Sequence, residues 1–261
     1  MSFRYFTLAL LLAAALRSPA QDDVDHKPNI HGAIRSRWEM ETNSGESRFQ
    51  VRNARLTVDG KIAPTIDYYA QTDLCDQGKM KILDAWGRLH LTQSLAIQAG
   101  QFRMPFGVES FRSPSNYLFA NRSFMGKIMC NYRKVGAKLI YNVPCSLPLL
   151  LEAGAFNKGT IATHDEWDKN NGYSYAGKAI LTLGRFKLTG GAMTIKPEDS
   201  RIYMYDGAVT WENSHILAAA EYMYEHYADN GHDGAHSYCT YVDYHRPVKI
   251  GMFNLSFPEK S

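Results

Sequence analysis

The chain has 261 residues, yet beyond residue 22 no stretch reaches the eighteen or so apolar residues of a membrane-crossing helix. Its four cysteines (Cys75, Cys130, Cys145 and Cys239) form no CxxC pair, and their wide, irregular spacing argues against zinc. They are either unpaired thiols or joined in one of three possible pairings, which spacing does not choose between. No GxSxG, Cys/His nucleophile pattern or HExxH helix is present, and Gly159-Thr160 does not supply a phosphate-cradling GK[ST] loop. These absences speak against an enzyme, a metal centre and a bound cofactor.

Charge of one sign is also lacking. The formal net charge is +3. Residues 1–20 have the form of a cleavable signal peptide. Arg4 precedes the apolar run Tyr5 to Leu16, and Ser18-Pro19-Ala20 places small residues before a cut at Gln21. Cleavage removes Arg4 and Arg17 and no acid, so the formal charge of the exported chain falls to +1. Such a balance excludes a surface that coats nucleic acid, and any electrostatic function has to come from local placement.

What recurs instead is alternation with a period of two. In residues 30–40, Ile30, Gly32, Ile34, Trp38 and Met40 share one face, opposite His31, Arg35, Arg37 and Glu39. In 48–59 the apolar phase slips by one near Arg52-Asn53, as a β-bulge would cause. Residues 62–73 and 82–91 alternate again, and the pattern continues through 95–103, 132–142, 148–156, 172–183, 186–195, 202–212, 215–226 and 237–246. Residues 250–257 offer a last piece. About twelve or thirteen strands follow, with no convincing amphipathic helix between them.

Strand length and loop length separate a membrane barrel from a soluble sandwich. Strands of about 9–11 residues suit a tilted crossing of the bilayer, whereas sandwich strands are nearer 5–6. Short joints at Gly60, 92–94, 142–147, 184–185, 212–214 and 247–249 alternate with longer connections at 41–47, 74–79, 104–131, 157–171, 196–201 and 227–236. Short turns on one rim and long loops on the other is the outer-membrane arrangement. Tyr68, Tyr141, Tyr173, Tyr203, Tyr222 and Tyr224 lie near strand ends, where interfacial girdles form.

The fold class is therefore all-β, an antiparallel transmembrane β-barrel over residues 21–261. The last residues, Phe257-Pro258-Glu259-Lys260-Ser261, supply no clear closing strand, so the barrel is expected to be incomplete at its C-terminus.

The longest connection, 104–131, holds the local charge. From residue 100 to 134 the chain carries Arg103, Arg112, Arg122, Lys127, Arg133 and Lys134, with Glu109 the only acid. Phe102, Phe106, Phe111, Tyr117, Phe119 and Phe124 interleave them. A solvated external loop has little use for so many aromatics, while a loop folded into a barrel can pack them on the wall and point its cations into water. Arg103, Arg112, Arg122, Lys127 and Arg133 are the candidate anion-binding residues of a constriction. Predicted lumen-facing cations are Arg35, Arg37, Arg55, Arg88, Lys138 and Lys178, mixed with Asp67, Asp73, Asp84 and Glu152. Gly100, Pro105 and Gly107 form the expected hinge by which the strand leaves the wall.

The segment HYADNGHDGAH offers metal-ligand types in His226, Asp229, His232, Asp233 and His236, but no fixed ligand spacing, and it reads as an external loop.

The blocks FQVRNARLTVDGKI, TIDYYAQTD, ILDAWGRL, AIQAGQFRMPFGVES, RKVGAKLIY and EAGAFNKG, in this order, resemble the phosphate-selective porin O and P family. GQFRMPFG is the most specific of them. The resemblance implies a sixteen-stranded, homotrimeric outer-membrane porin whose third loop carries a basic constriction, with about 12–13 of those strands present here. The expected function is passive diffusion of small anions such as phosphate through the bacterial outer membrane, with membrane lipid and the solute as partners. The alternatives are a truncated, non-conducting barrel fragment, and a secreted or outer-membrane β-protein acting as an adhesin or enzyme.

Overall fold

A computed structural model describes residues 26–76, 78–112, 121–163, 172–197, 200–228, 233–244, 248–250 and 253–255. Twelve strands form one sheet in sequence order, every neighbour antiparallel: β1 (Asn29–Met40), β2 (Ser47–Ala63), β3 (Ile66–Asp76), β4 (Lys79–His90), β5 (Leu95–Arg103) and β6 (Arg133–Val143). They continue as β7 (Leu149–Phe156), β8 (Ser174–Leu183), β9 (Phe186–Ile195), β10 (Ile202–Glu212), β11 (Ile216–Tyr227) and β12 (Ala235–Tyr244). This is the up-and-down wall of an antiparallel β-barrel. Among the described residues no helix is long and apolar enough to cross a membrane.

The two faces of the wall are inverted relative to a water-soluble protein. Ile30, Ile34, Trp38, Phe49, Ile62, Tyr205 and Val242 stand exposed on the outer face. The inner face buries polar groups such as Gln98, Lys134, Lys138, Lys178, Asp206 and Glu221. β10 reads buried, exposed, buried, exposed, buried through Ile202, Tyr203, Met204, Tyr205 and Asp206. An apolar outside and a polar inside is what lipid around the wall and water within it select. Tyr173, Tyr175, Tyr203, Tyr205, Tyr222 and Tyr238 are all exposed near the long-loop ends of β8 and β10–β12. There an apolar ring and a polar hydroxyl meet the membrane–water boundary.

The expected bulge lies in β2. Arg35 pairs with Asn53 but Ser36 with Val51, which leaves Arg52 as the extra residue. Three connections differ from the alternation reading, one of them the expected joint 247–249, where residues 248–249 belong to a strand, Val248–Ile250. Gly60 is no joint, because β2 runs on to Ala63 and turns at 64–65. Gly60 pairs with Tyr68, and its missing side chain makes room for that ring: a Cβ there would lie 2.8 Å from the Tyr68 hydroxyl.

The expected long connection 74–79 shrinks to 77–78, because β3 continues through an irregular register to Asp76 and Gly78 takes a left-handed φ of 82°. The final piece differs too. Val248–Ile250 (β13) pairs with Phe253–Leu255 (β14) as a separate two-stranded element rather than adding a strand to the wall.

Among the described residues of this connection, 104–112 and 121–132, lie a short helix, α1 (Phe124–Ile128), and a 3-10 turn at Glu109–Phe111. These described parts of the loop lie on the inner face and reach both ends of the sheet. Arg37 on β1 donates to Asn121 at 3.4 Å, and the Arg112 guanidinium sits 4.4 Å from the Tyr241 ring of β12. Its apolar seat joins Met104, Phe106, Met125 and Met129 to Met193, Met204 and Met223 of β9–β11. Six of the ten methionines of the chain gather there, a flexible filling for an irregular contact.

Candidate functional site

β5 delivers the chain to the loop through a strained stretch. Gly100, with φ 133°, still pairs with Gly136 of β6 and opposes Trp86 of β4. A Cβ at Gly100 would collide with the Ala85 carbonyl oxygen and stand 2.7 Å from the Trp86 Cα. Past this point Gln101 turns onto β4, donating to the Ile82 and Leu83 carbonyls at 3.0 Å each, and accepts from the Ile161 N–H at 2.7 Å.

The departure itself lies four to seven residues after Gly100. The Met104 N–H still bonds the Tyr132 carbonyl, then Phe106 N–H folds back to the Met104 carbonyl. Pro105 and Phe106 are fully buried there. Gly107 turns the chain with φ 75°, its α-hydrogens packed where a Cβ would meet the Met223 methyl at 2.7 Å.

The turn ends on an acid from the far wall. The Glu221 carboxylate of β11 accepts the Val108 N–H at 2.6 Å and the Glu109 N–H at 2.9 Å. Glu109 in turn pairs with Arg112 at 3.0 Å and accepts the Ser123 N–H at 3.3 Å. Cys130 is buried in the same contact. Loss of water, with Glu221 nearby, pushes its thiol up to about 12.

Each candidate cation has a defined place. Arg103 is buried, bonding the Ser110 carbonyl and the Asn131 amide oxygen. Arg112 holds Glu109 and lies on Tyr241. Arg122 reaches Asn131 at 2.9 Å and the Arg112 carbonyl at 2.7 Å, which gathers Arg103, Arg112 and Arg122 into one cluster. Lys127 stands exposed on α1, and Arg133 makes a two-point pair with Asp84 at 3.0 and 3.1 Å.

Among the wall cations, Arg35 is half-buried, Arg37 pairs with Glu39 at 2.7 Å, and Arg55 faces Asp73 at 3.4 Å. Arg88 bonds Gln98 and lies 4.7 Å from the Trp86 ring. Lys138 and Lys178 both hold Glu152, Lys178 at 3.7 Å, and Lys178 also stands 3.7 Å from the Phe111 ring centroid. The inner face is thus a mosaic of cations set against acids, not an open basic ring.

Several participants escaped the sequence reading. Asn131 and Ser110 organise the arginine cluster, and Glu221 and Asp206 receive the loop. Alternation along 216–226 sets Glu221 opposite Tyr222 and Tyr224, but nothing local marks it as a partner of residues more than a hundred positions away. The aromatics divide: Phe102 and Phe106 are buried, whereas Phe111 and Phe124 are 41% and 78% exposed. Tyr117 and Phe119 lie outside the described residues. So do Asp229 and His232 of the histidine-rich segment. Its described His226 and His236 stack on Tyr224, and among the described residues no cluster of metal-ligating side chains forms. All four cysteines are free thiols.

Comparison with solved structures finds outer-membrane proteins of Vibrio cholerae at low likeness. The loop L8 deletion mutant of OmpT is 11% identical, with a TM-score of 0.42 over 83% of this chain and 87% of that one. The trimer form of in-vitro folded OmpT is 13% identical, with a TM-score of 0.42 over 84% and 83%. Nothing about function passes to this chain at that likeness. No curated protein matches the sequence. The family description "Phosphate-selective porin O and P", by contrast, matches residues 28–201, from the start of the wall through the loop to the edge of β10. The chain belongs to the phosphate-selective porin O and P family.

Proposed function

We propose that the protein lets small anions, phosphate among them, diffuse through the bacterial outer membrane, with residues 104–132 as the constriction. The observation that carries this reading is the loop's position on the inner face, with Arg103, Arg112 and Arg122 clustered around Asn131. Guanidinium groups offer paired donors to phosphate or carboxylate oxygens, and cations at a narrow point attract anions and repel cations. Binding has to be weak enough for release, so no covalent step and no cofactor is involved.

Residues 1–20 act as a signal peptide that is removed at Gln21, residues 21–261 form the barrel domain, and the outer face meets membrane lipid. The functional unit is a homotrimer. N-terminal sequencing of protein recovered from outer membranes tests the cut.

Salt-gradient reversal potentials of reconstituted protein test the solute class. Replacing Arg103, Arg112 and Arg122 together by glutamine is expected to shift the potential toward cations. An unchanged potential in a folded triple variant overturns the role of the loop.

A further inference from the structure

The turn at Gly107 has the form of a backbone anion site. A left-handed residue, Gly107 at φ 75°, precedes a right-handed one, Val108 at φ −105° and ψ −50°. Successive N–H groups in such a left–right pair converge into a concave nest for a negative group. The nest is filled from within the chain, because the Val108 and Glu109 N–H groups both donate to Glu221. Asp206 of β10 lies below the same turn, close to the Gly107 N–H but without a hydrogen bond of good geometry at either oxygen.

We propose that Glu221 serves as the resident anion of this nest and is the positioning residue that seats the loop and its arginines across the lumen. The inference rests on the reading of this loop as the constriction only for its effect on conduction.

The connections downstream of the nest support it. Glu109, whose N–H is held by Glu221, binds Arg112 and the Ser123 N–H with its own carboxylate. Ser110, the next residue, donates to the Phe106 carbonyl and accepts Arg103. Arg122 is tied to the Arg112 carbonyl. Three cations therefore take their positions from one carboxylate on the eleventh strand. Glu225, four residues further along β11 and so on the same inner face, serves as a comparison for general acidity of the wall.

The test uses the full chain, folded and reconstituted in lipid vesicles, with heat-shifted gel mobility to verify the wall. Trypsin cleavage at Arg112 and Arg122 reports loop seating without reference to conduction. Glu221→Gln keeps the shape but offers only one good acceptor, and cleavage is expected to rise about tenfold. Glu221→Ala is expected to rise further, and to be restored toward the native rate by added acetate, which can enter the vacated nest. Glu225→Gln is expected to leave cleavage unchanged.

Native cleavage in folded Glu221→Gln and Glu221→Ala, or no effect of acetate on Glu221→Ala, overturns the proposal. An equal rise in Glu225→Gln overturns it as well. Released cleavage with an unaltered reversal potential upholds the seating role and sinks the constriction reading instead.

Discussion

Arg133 and Asp84 face each other across the place where β4 and β5 part, joined by two parallel contacts of 3.0 and 3.1 Å. β4 pairs with β5 only as far as Ala85 and Gln101, so the pair spans the opening that the departing loop leaves in the ladder. It also cancels a positive charge that would otherwise face the inner space.

Asp84→Asn should therefore raise anion selectivity. A unit charge about 8 Å from a passing ion in water is worth roughly 0.5 kcal/mol, or about twofold in local ion concentration. Reversal potentials should move toward anions by an amount consistent with that factor. Arg133→Gln, which removes the cation and leaves Asp84, should move them the other way.

Glu152 offers a stronger version of the same experiment, since it holds both Lys138 and Lys178. Glu152→Gln leaves two lysines facing one another with the acid gone. Anion selectivity should rise by more than in Asp84→Asn, and thermal stability of the folded wall should fall, because the buried cations lose their partner. Unfolding in detergent followed by circular dichroism would measure the second effect.

Two glycines with left-handed φ should respond differently to substitution. Gly100→Ala drives a Cβ into the backbone of β4, so the yield of heat-resistant folded protein should drop sharply. Gly78→Ala meets nothing within 4 Å and should cost only the left-handed conformation, about 1 kcal/mol. Comparable yields for the two variants would contradict the close β4–β5 approach at Gly100.

The Cys130 thiol supplies a pH-dependent probe. Burial, with the Glu221 charge beside it, raises its value to about 12 from the usual 9. The stability this neutral thiol contributes is fully present below pH 9 and is lost as pH rises toward 12. Maleimide at pH 8 should label exposed Cys145 readily and Cys130 only after unfolding. Labelling of Cys130 at the Cys145 rate in folded protein would contradict a seated loop.

The wall was largely legible from residue alternation, because lipid outside and water inside force every second side chain into one chemical class. Even the bulge at Arg52 left its mark as a slip in phase. Gly60 misled for a physical reason: a glycine that accommodates Tyr68 inside a strand resembles one that ends it.

The candidate cations were legible as composition, but their pairing was not. Glu109 and Arg112 lie three residues apart and carry a local signal. Arg133 with Asp84, and Val108 with Glu221, depend on which strands the barrel brings opposite one another. No spacing along the chain encodes that.

The seat of the loop also bears on the order in which the barrel assembles. Every rung of the wall joins strands adjacent in sequence, so hairpins can zip up one after another at small loop-closure cost. Residues 104–112 leave the ladder after the fifth strand, yet their acceptor at Glu221 and the methionines of β9–β11 are made more than eighty residues later. Seating is therefore a late folding event. Until β11 is in place, the arginine-bearing segment waits without its acceptor.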